Sequence, residues 1–272
     1  MKKINLPLVI GSLCLIFVIS MTLISVFFTP FEPTTMAIHK GFTSPSAVHL
    51  FGTDQFGRDI LSRIMAGGQN SLLIAFTAVS SGMIIGSSLG ATAGYMGGLL
   101  DEILMRVAEV LYSFPSFLLA LLAVTIFGTG RNTVMIAIAI ANIPIFMKIT
   151  RNNFLSLKEM HYVEAAKAIG ASDWRIMFKH ILPNALPAIL VQASVSFSAA
   201  ILAEASLSYI GVGVKPPYPS WGRMLKEARS FAGLAPWTVI FPGIAIAITV
   251  LGSNLLTDGL RMKGSGESKW NI

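Results

Sequence analysis

Six stretches of the chain carry no Asp, Glu, Lys or Arg: Ile4–Phe31, Ile64–Leu100, Val110–Gly130, Asn132–Met147, Ile181–Ala203 and Ser230–Thr257. A hydrocarbon core is crossed by roughly 20 mostly apolar helical residues, and a helix satisfies its backbone groups within the segment itself. The pattern predicts spans over 6–28, 70–94, 108–127, 132–150, 186–210 and 236–257. That is an all-α polytopic membrane bundle of six helices. Residues 1–69 supply the first helix and a long loop, 70–262 a five-helix core, and 263–272 a short tail.

Composition agrees. Of the 272 residues, 54% are hydrophobic and 12% charged, about half the charged share of a soluble domain, and mean hydropathy is +0.71. A net charge of +7 could suit nucleic acid, but basic residues flanking membrane spans account for it better, so no nucleic-acid partner is expected. Lys2 and Lys3 before an apolar run imitate a signal peptide. Leu6–Phe28 is longer than a signal core and no small-x-small site follows, so it is expected to stay as the first span. With those lysines inside, both termini are cytoplasmic, as are the loops 95–107 and 151–185. The loops 29–69, 128–131 and 211–235 are then extracytoplasmic. Lys and Arg favour this orientation only modestly, because Lys215, Arg223, Lys226 and Arg229 fall outside.

Gly82, Gly86, Gly90 and Gly94 recur every four residues, which sets them on one helix face where another helix can come close. Pro144 should kink or end the fourth span. Glu204 is the one acid deep in an apolar stretch. A carboxylate in lipid costs about 2.5–3.5 kcal/mol or more, so Glu204 either lines a translocation path or bonds to a neighbouring helix. Glu109 fits a helix-end carboxylate at the start of the third span. Gly86-Ser-Ser88-Leu-Gly90 matches the nucleophile-elbow spacing, yet it sits mid-span with no histidine at that depth. There is no phosphate loop, since Gly-Lys never occurs, and His39, His49, His161 and His180 lack metal-ligand spacing. Cys14 is the single cysteine, so no disulfide framework exists.

The loop 152–185 contains Glu164-Ala165-Ala166, Gly170 and Leu182-Pro183. Residues 159–169 favour helix, and Gly170 fits a left-handed stop. Ser172 or Asp173 can cap a second short helix from Trp174, which Pro183 should end. Val163, Ala166, Ile169, Ile176 and Met177 give this pair of helices an apolar side. It suits a groove in another protein or a lipid surface.

The pattern Glu164-Ala165-Ala166-x3-Gly170-x11-Leu182-Pro183, lying between two spans, resembles the EAA loop of permease subunits of bacterial ABC importers. His180-Ile-Leu-Pro-Asn184 is similar to the dipeptide, oligopeptide and nickel branch. So are Gly52-Thr-Asp54-x2-Gly57-Arg58-Asp59-x2-Ser62-Arg63, Gly94-Tyr95, Asp101, Arg106, Ser113-Phe-Pro115, Trp221-Gly222 and Asn254-x3-Asp258. The likeness covers about residues 7–262; the tail lacks the Asp-Pro-Arg with which the branch often continues.

The resemblance implies a type I importer permease fold and a loop that docks in an ATP-binding subunit. Glu164, Ala165, Ala166, Gly170, Leu182 and Pro183 would carry that coupling. It implies a second homologous permease, two ATP-binding subunits and an extracytoplasmic solute-binding protein as partners, in the cytoplasmic (inner) membrane. ATP and Mg belong to the partner subunits; this chain is expected to bind no cofactor and no metal, and to catalyse nothing itself. Thr53 or Asp54 can cap a short helix over 55–66, where Asp54, Arg58 and Asp59 are candidates for contact with the binding protein. Arg58 with Asp59 also fits a solvated pair. Peptides, nickel, another metal or a metallophore suit the branch, with a slight leaning toward metal. The competing class is a secondary transporter or channel that works without an ATPase.

Overall fold

The structure, a computed structural model, describes residues 5–267. Lys2, Lys3 and the last five residues of the tail lie outside it. The described chain is helical apart from loops and one isolated bridge between Thr53 and Asp59.

Five helices are long and apolar enough to cross a membrane: Leu6–Phe27, Ile60–Met96, Arg131–Lys158, Asp173–Ile210 and Trp237–Met262. Two further pieces, Gly98–Ser113 and Phe117–Phe127, are apolar enough to count together as a sixth but are bent by 92°. The helices in chain order are α1 (Leu6–Phe27), α2 (Ile60–Met96), α3 (Gly98–Ser113), α4 (Ser116–Phe127), α5 (Arg131–Lys158), α6 (His161–Ala168), α7 (Asp173–Arg175), α8 (Leu182–Ile210), α9 (Trp221–Ala228) and α10 (Trp237–Glu267).

Several expectations change. The span over 108–127 is not continuous, because Pro115 drives Phe114 to extended backbone (φ −84°, ψ 130°). Glu109 therefore sits late in α3 and not at a helix start. No separate helix covers 55–66. Asp54 Oδ1 accepts from the Phe56 and Arg58 amides at 2.9 and 3.0 Å, closing a turn. Asp59 then caps α2, its Oδ2 accepting from Ser62 N at 2.8 Å. Since α2 runs unbroken through residue 69, a boundary there divides one helix. At about 1.5 Å per residue, its 37 residues reach well past a ~30 Å core, so α2 carries both ends of the bundle. Pro144 does not end its helix; α5 continues to Lys158.

The glycine spacing works as expected. A Cβ at Gly82 would lie 2.6 Å from Asn142 Cβ, and one at Gly94 would lie 2.7 Å from Arg151 O. Gly86 and Gly90 press just as hard on the backbone at Ile143 and Met147. The whole ridge of α2 thus rests on α5. A second close approach joins α1 to α10, where Gly11 faces Gly252 and Leu256, and Asn5 Nδ2 donates to Gly259 O at 2.6 Å.

Candidate functional site

Chemistry-bearing side chains gather at the two ends of the bundle. At one end lies the segment 159–181. α6 stops at Gly170, whose φ of +78° is left-handed and costs glycine little. Ser172 caps the next turn by accepting from Arg175 N at 3.4 Å. The second helix is not short and does not end at Pro183. It passes through a wider π turn over Ile176–Ile181 into α8, giving one helical run over Asp173–Ile210. In that turn Leu182 N bonds to Met177 O, a register in which the missing N–H of Pro183 is tolerated.

The apolar side of this segment divides in two. Val163, Ala166, Ile176 and Met177 are buried within the chain's own core, so they offer nothing to a partner. The exposed face is made instead by Ile169 (85% exposed), Trp174 (71%) and Phe178 (44%), with the Trp174 and Phe178 rings 4.1 Å apart. Glu164 and Ala165 also face outward while Ala166 faces in; Leu182 is half-buried and Pro183 exposed. His161 Nδ1 lies 3.4 Å from Glu164 Oε2 in the open.

What holds the segment is Tyr95 at the end of α2, a residue sequence reasoning did not single out as a site. Its hydroxyl donates to Asp173, and its carbonyl accepts from Lys158 Nζ. The ammonium groups of Lys158 and Lys167 stand 5.3 and 5.9 Å from its ring. Beside it, Arg151 makes a bidentate pair with Asp101.

At the other end, Asp54, Arg58 and Asp59 are not a solvated surface. All three are buried, at 6, 3 and 3% exposure, so they cannot present themselves directly to an incoming protein. Arg58 Nε donates to Asp54 Oδ2 at 2.6 Å, and its NH2 donates to Glu227 Oε2 at 2.7 Å. Arg63 NH2 reaches the same oxygen at 3.0 Å, and Arg223 NH2 lies 2.8 Å from Glu227 Oε1. Asp59 pairs with His49 at 3.0 Å, so His49 is a buried partner rather than a solvated loop residue. Burial pushes the Glu227 carboxyl up, but Arg63, Arg58 and Arg223 outweigh it and hold it below its ordinary 4.5. The one available signal for Glu227 was its isolation as an acid among Arg223, Lys226 and Arg229.

Between the ends, a cavity of about 340 Å³ opens along α4, α5 and α8, with Asn142, Gln192, Ser196 and Ser206 on otherwise apolar walls. Glu204 does not line it. It is fully buried, and Ser208 Oγ of the same helix donates to its Oε1 at 2.7 Å, with Ser71 of α2 and Ser220 before α9 beside the carboxyl. Ser88 donates to Ile84 O within its own helix, which leaves the nucleophile-elbow match without a base. Among the described residues, no group of three His, Cys, Asp or Glu side chains could hold a metal ion.

Residues 82–261 match the family described as binding-protein-dependent transport system inner membrane component. The chain belongs to that family. Among its relatives is the dipeptide transport system permease protein DppC of Alkalihalophilus pseudofirmus. The two are 48% identical over 80% of this chain and 71% of the relative. The glutathione transport system permease protein GsiD of Pectobacterium atrosepticum is also 48% identical, over 80% and 72%. The fold is shared with the MetNI methionine ABC transporter in inward-facing conformations, at a TM-score of 0.60 and 18% identity. That match covers 72% of this chain and 94% of the other. An amino acid ABC transporter matches with a TM-score of 0.53 and 21% identity, over 71% and 90%. As a member of the family, the chain is a membrane-spanning permease subunit of an ABC importer with the type I permease fold.

Proposed function

We propose that this permease imports small peptides by alternating access, with the segment 159–181 as its coupling element to an ATP-binding subunit. The carrying observation is the exposed ridge of Ile169, Trp174 and Phe178 beside outward-facing Glu164, on a segment continuous with a membrane span. Apolar side chains left exposed on a well-anchored helical element suit a groove in a partner. Closure of two ATP-binding subunits, which carry the ATP and Mg, would move that segment and swing α8. A second homologous permease would complete the translocation path, with the Asn142–Gln192–Ser196 groove as this chain's wall.

In this reading the Glu164 end is cytoplasmic, together with both termini. Lys148, Arg151, Lys158, Lys167, Arg175 and Lys179 cluster there, as basic residues do on the inner side. At the opposite end Arg58, Arg63 and Arg223 are spent on internal carboxylates. The buried cluster around Glu227 would shape, rather than form, the surface that meets the solute-binding protein. Peptide cargo is favoured over metal because the relatives at 48% identity are named for dipeptide and glutathione transport.

The test is reconstitution of the complex in vesicles with its binding protein loaded with a dipeptide, glutathione or nickel. ATP-dependent uptake and ATPase stimulation should follow the peptides. Stimulation by nickel alone would overturn the cargo, and uptake that persists without the ATP-binding subunits would favour a secondary transporter.

A further inference from the structure

Glu204 has no part in the coupling segment, the charge cluster or the groove, yet its surroundings are specific. It lies on α8, one turn before Ser208, whose hydroxyl donates to Oε1. The hydroxyls of Ser71 on α2 and Ser220 at the start of α9 face the same carboxyl. Among the described residues, Oε2 has no hydrogen-bond partner of good distance and angle.

Two of those three hydroxyls are already used as acceptors. Ser71 Oγ accepts from Trp221 N at 3.2 Å, and Ser220 Oγ accepts from Arg223 N at 3.3 Å. Each keeps its proton free to donate, and Glu204 is the buried carboxyl beside both. The carboxyl is thus bonded within α8 through Ser208 and bordered by hydroxyls of α2 and of the cap of α9. Next to it the backbones touch: a Cβ at Gly222 would lie 2.6 Å from Ala205 Cα. Trp221 is fully buried, its Nε1 donating to Ile64 O at 3.0 Å.

The consequence follows from what each element carries. α8 is continuous with the segment that begins at Asp173. α9 carries Glu227, which pairs with Arg58 and Arg63 at the end of the bundle away from that segment and with Arg223 on its own helix. Glu204 sits where the two elements meet. We propose that Glu204 is a positioning residue that fixes α9 to α8, so that the outer charge cluster and the coupling segment move together. This rests on the ATP-driven reading above.

The experiment compares wild type, Glu204→Ala, Glu204→Gln and Glu204→Asp in purified, vesicle-reconstituted complexes matched for assembly. The first readout is the ratio of ATPase activity with peptide-loaded binding protein to basal activity. The second is amide hydrogen exchange of residues 221–228. Glu204→Ala should lower the ratio at least tenfold, leave basal activity in place, and speed exchange of α9. Glu204→Asp should recover part of both, and Glu204→Gln should fall between. In a cycle with Glu227→Gln, the two losses should not add. An unchanged ratio and unchanged exchange in Glu204→Ala would overturn the proposal, as would a loss that simply tracks complex yield across all variants. If wild type itself is not stimulated, the ATP-driven reading fails, and the exchange of α9 still decides whether Glu204 holds it.

Discussion

Arg58 NH2 meets Glu227 Oε2 at 2.7 Å across 169 residues of sequence, tying the loop before α2 to the short helix α9. Arg58 and Arg63 are 3 and 1% exposed, so these two guanidinium groups have little water and depend on Glu227 together with Asp54 for compensation. Removing one partner of a buried pair typically costs about 3–5 kcal/mol, because the charge left behind is uncompensated. Glu227→Ala should therefore lower the thermal midpoint of the detergent-solubilised chain and speed exchange of both 54–63 and 221–228. The same scan on Glu102→Ala, whose pair with Arg106 is exposed, should show almost no change.

The same carboxylate sets an acid limit. Its folded pKa lies below the ordinary 4.5. A depressed carboxylate contributes stability that is complete above the unfolded value and is lost as pH falls through the folded one. Melting measured from pH 7 down to 5 should show no loss from this site; below about pH 4.5 it should fall. Glu227→Gln, which cannot titrate, should start lower and follow a flatter acid limb. Equal slopes in wild type and variant would remove Glu227 as the cause.

The glycine ridge separates sterics from backbone freedom. At Gly94 an added methyl would sit 2.7 Å from a backbone oxygen of α5, whereas at Gly243 it would meet nothing within 4 Å. Overpacking of this kind costs about 1–3 kcal/mol, while glycine to alanine in open helix stabilises by up to ~1 kcal/mol. Gly94→Ala should thus lower the midpoint and Gly243→Ala should hold or raise it. Gly86→Ala and Gly90→Ala should behave like Gly94→Ala.

These cases mark what was legible in the residues themselves. A glycine period of four and uncharged runs of span length are local signals, and most of the spans and a close helix contact along that face followed from them, though not that the partner is α5. Pairing between Arg58 and Glu227 has no periodic trace, so the Asp54–Asp59 segment passed for a solvated surface. Pro183 was misjudged because the local rule ends a helix there, while the π turn over Ile176–Ile181 absorbs the missing donor. For Val163 and Ile176, apolar spacing shows that a face is buried but not whose core buries it. Only the packed chain assigns them inward and leaves Ile169 and Trp174 outside.

The coupling segment can be tested on that division. Trp174→Ala and Glu164→Lys alter outward-facing side chains, so the chain should stay folded in the membrane while the ATP-binding subunit is released or uncoupled. Val163→Asp, by contrast, puts a charge into a fully buried site and should deplete the folded chain itself. At Gly170 the left-handed φ, with nothing within 4 Å, makes strain the only cost of Ala, of order 1 kcal/mol. Gly170→Ala should therefore retain uptake that Gly170→Pro loses. The readouts are co-purification of the ATP-binding subunit and vesicle uptake; normal uptake in both Glu164→Lys and Trp174→Ala would sink the assignment.

Tyr95 offers the sharpest single-atom change. Phenylalanine keeps its buried ring beneath Lys158 and Lys167 and deletes only the hydroxyl that donates to Asp173. A hydrogen bond to a charged group is worth about 1.5–3 kcal/mol, and here it links α2 to the first turn of the segment. Tyr95→Phe should leave the midpoint of the whole chain nearly unchanged, since the α2–α5 ridge does not depend on that hydroxyl. Amide exchange over 161–175 should quicken, because the segment loses its tie while the spans keep theirs. If exchange quickens equally across α2 and α5, the hydroxyl supports the bundle at large and not the coupling segment in particular. Asp173→Asn should give the same local pattern in milder form, as its amide oxygen can still accept from the tyrosine.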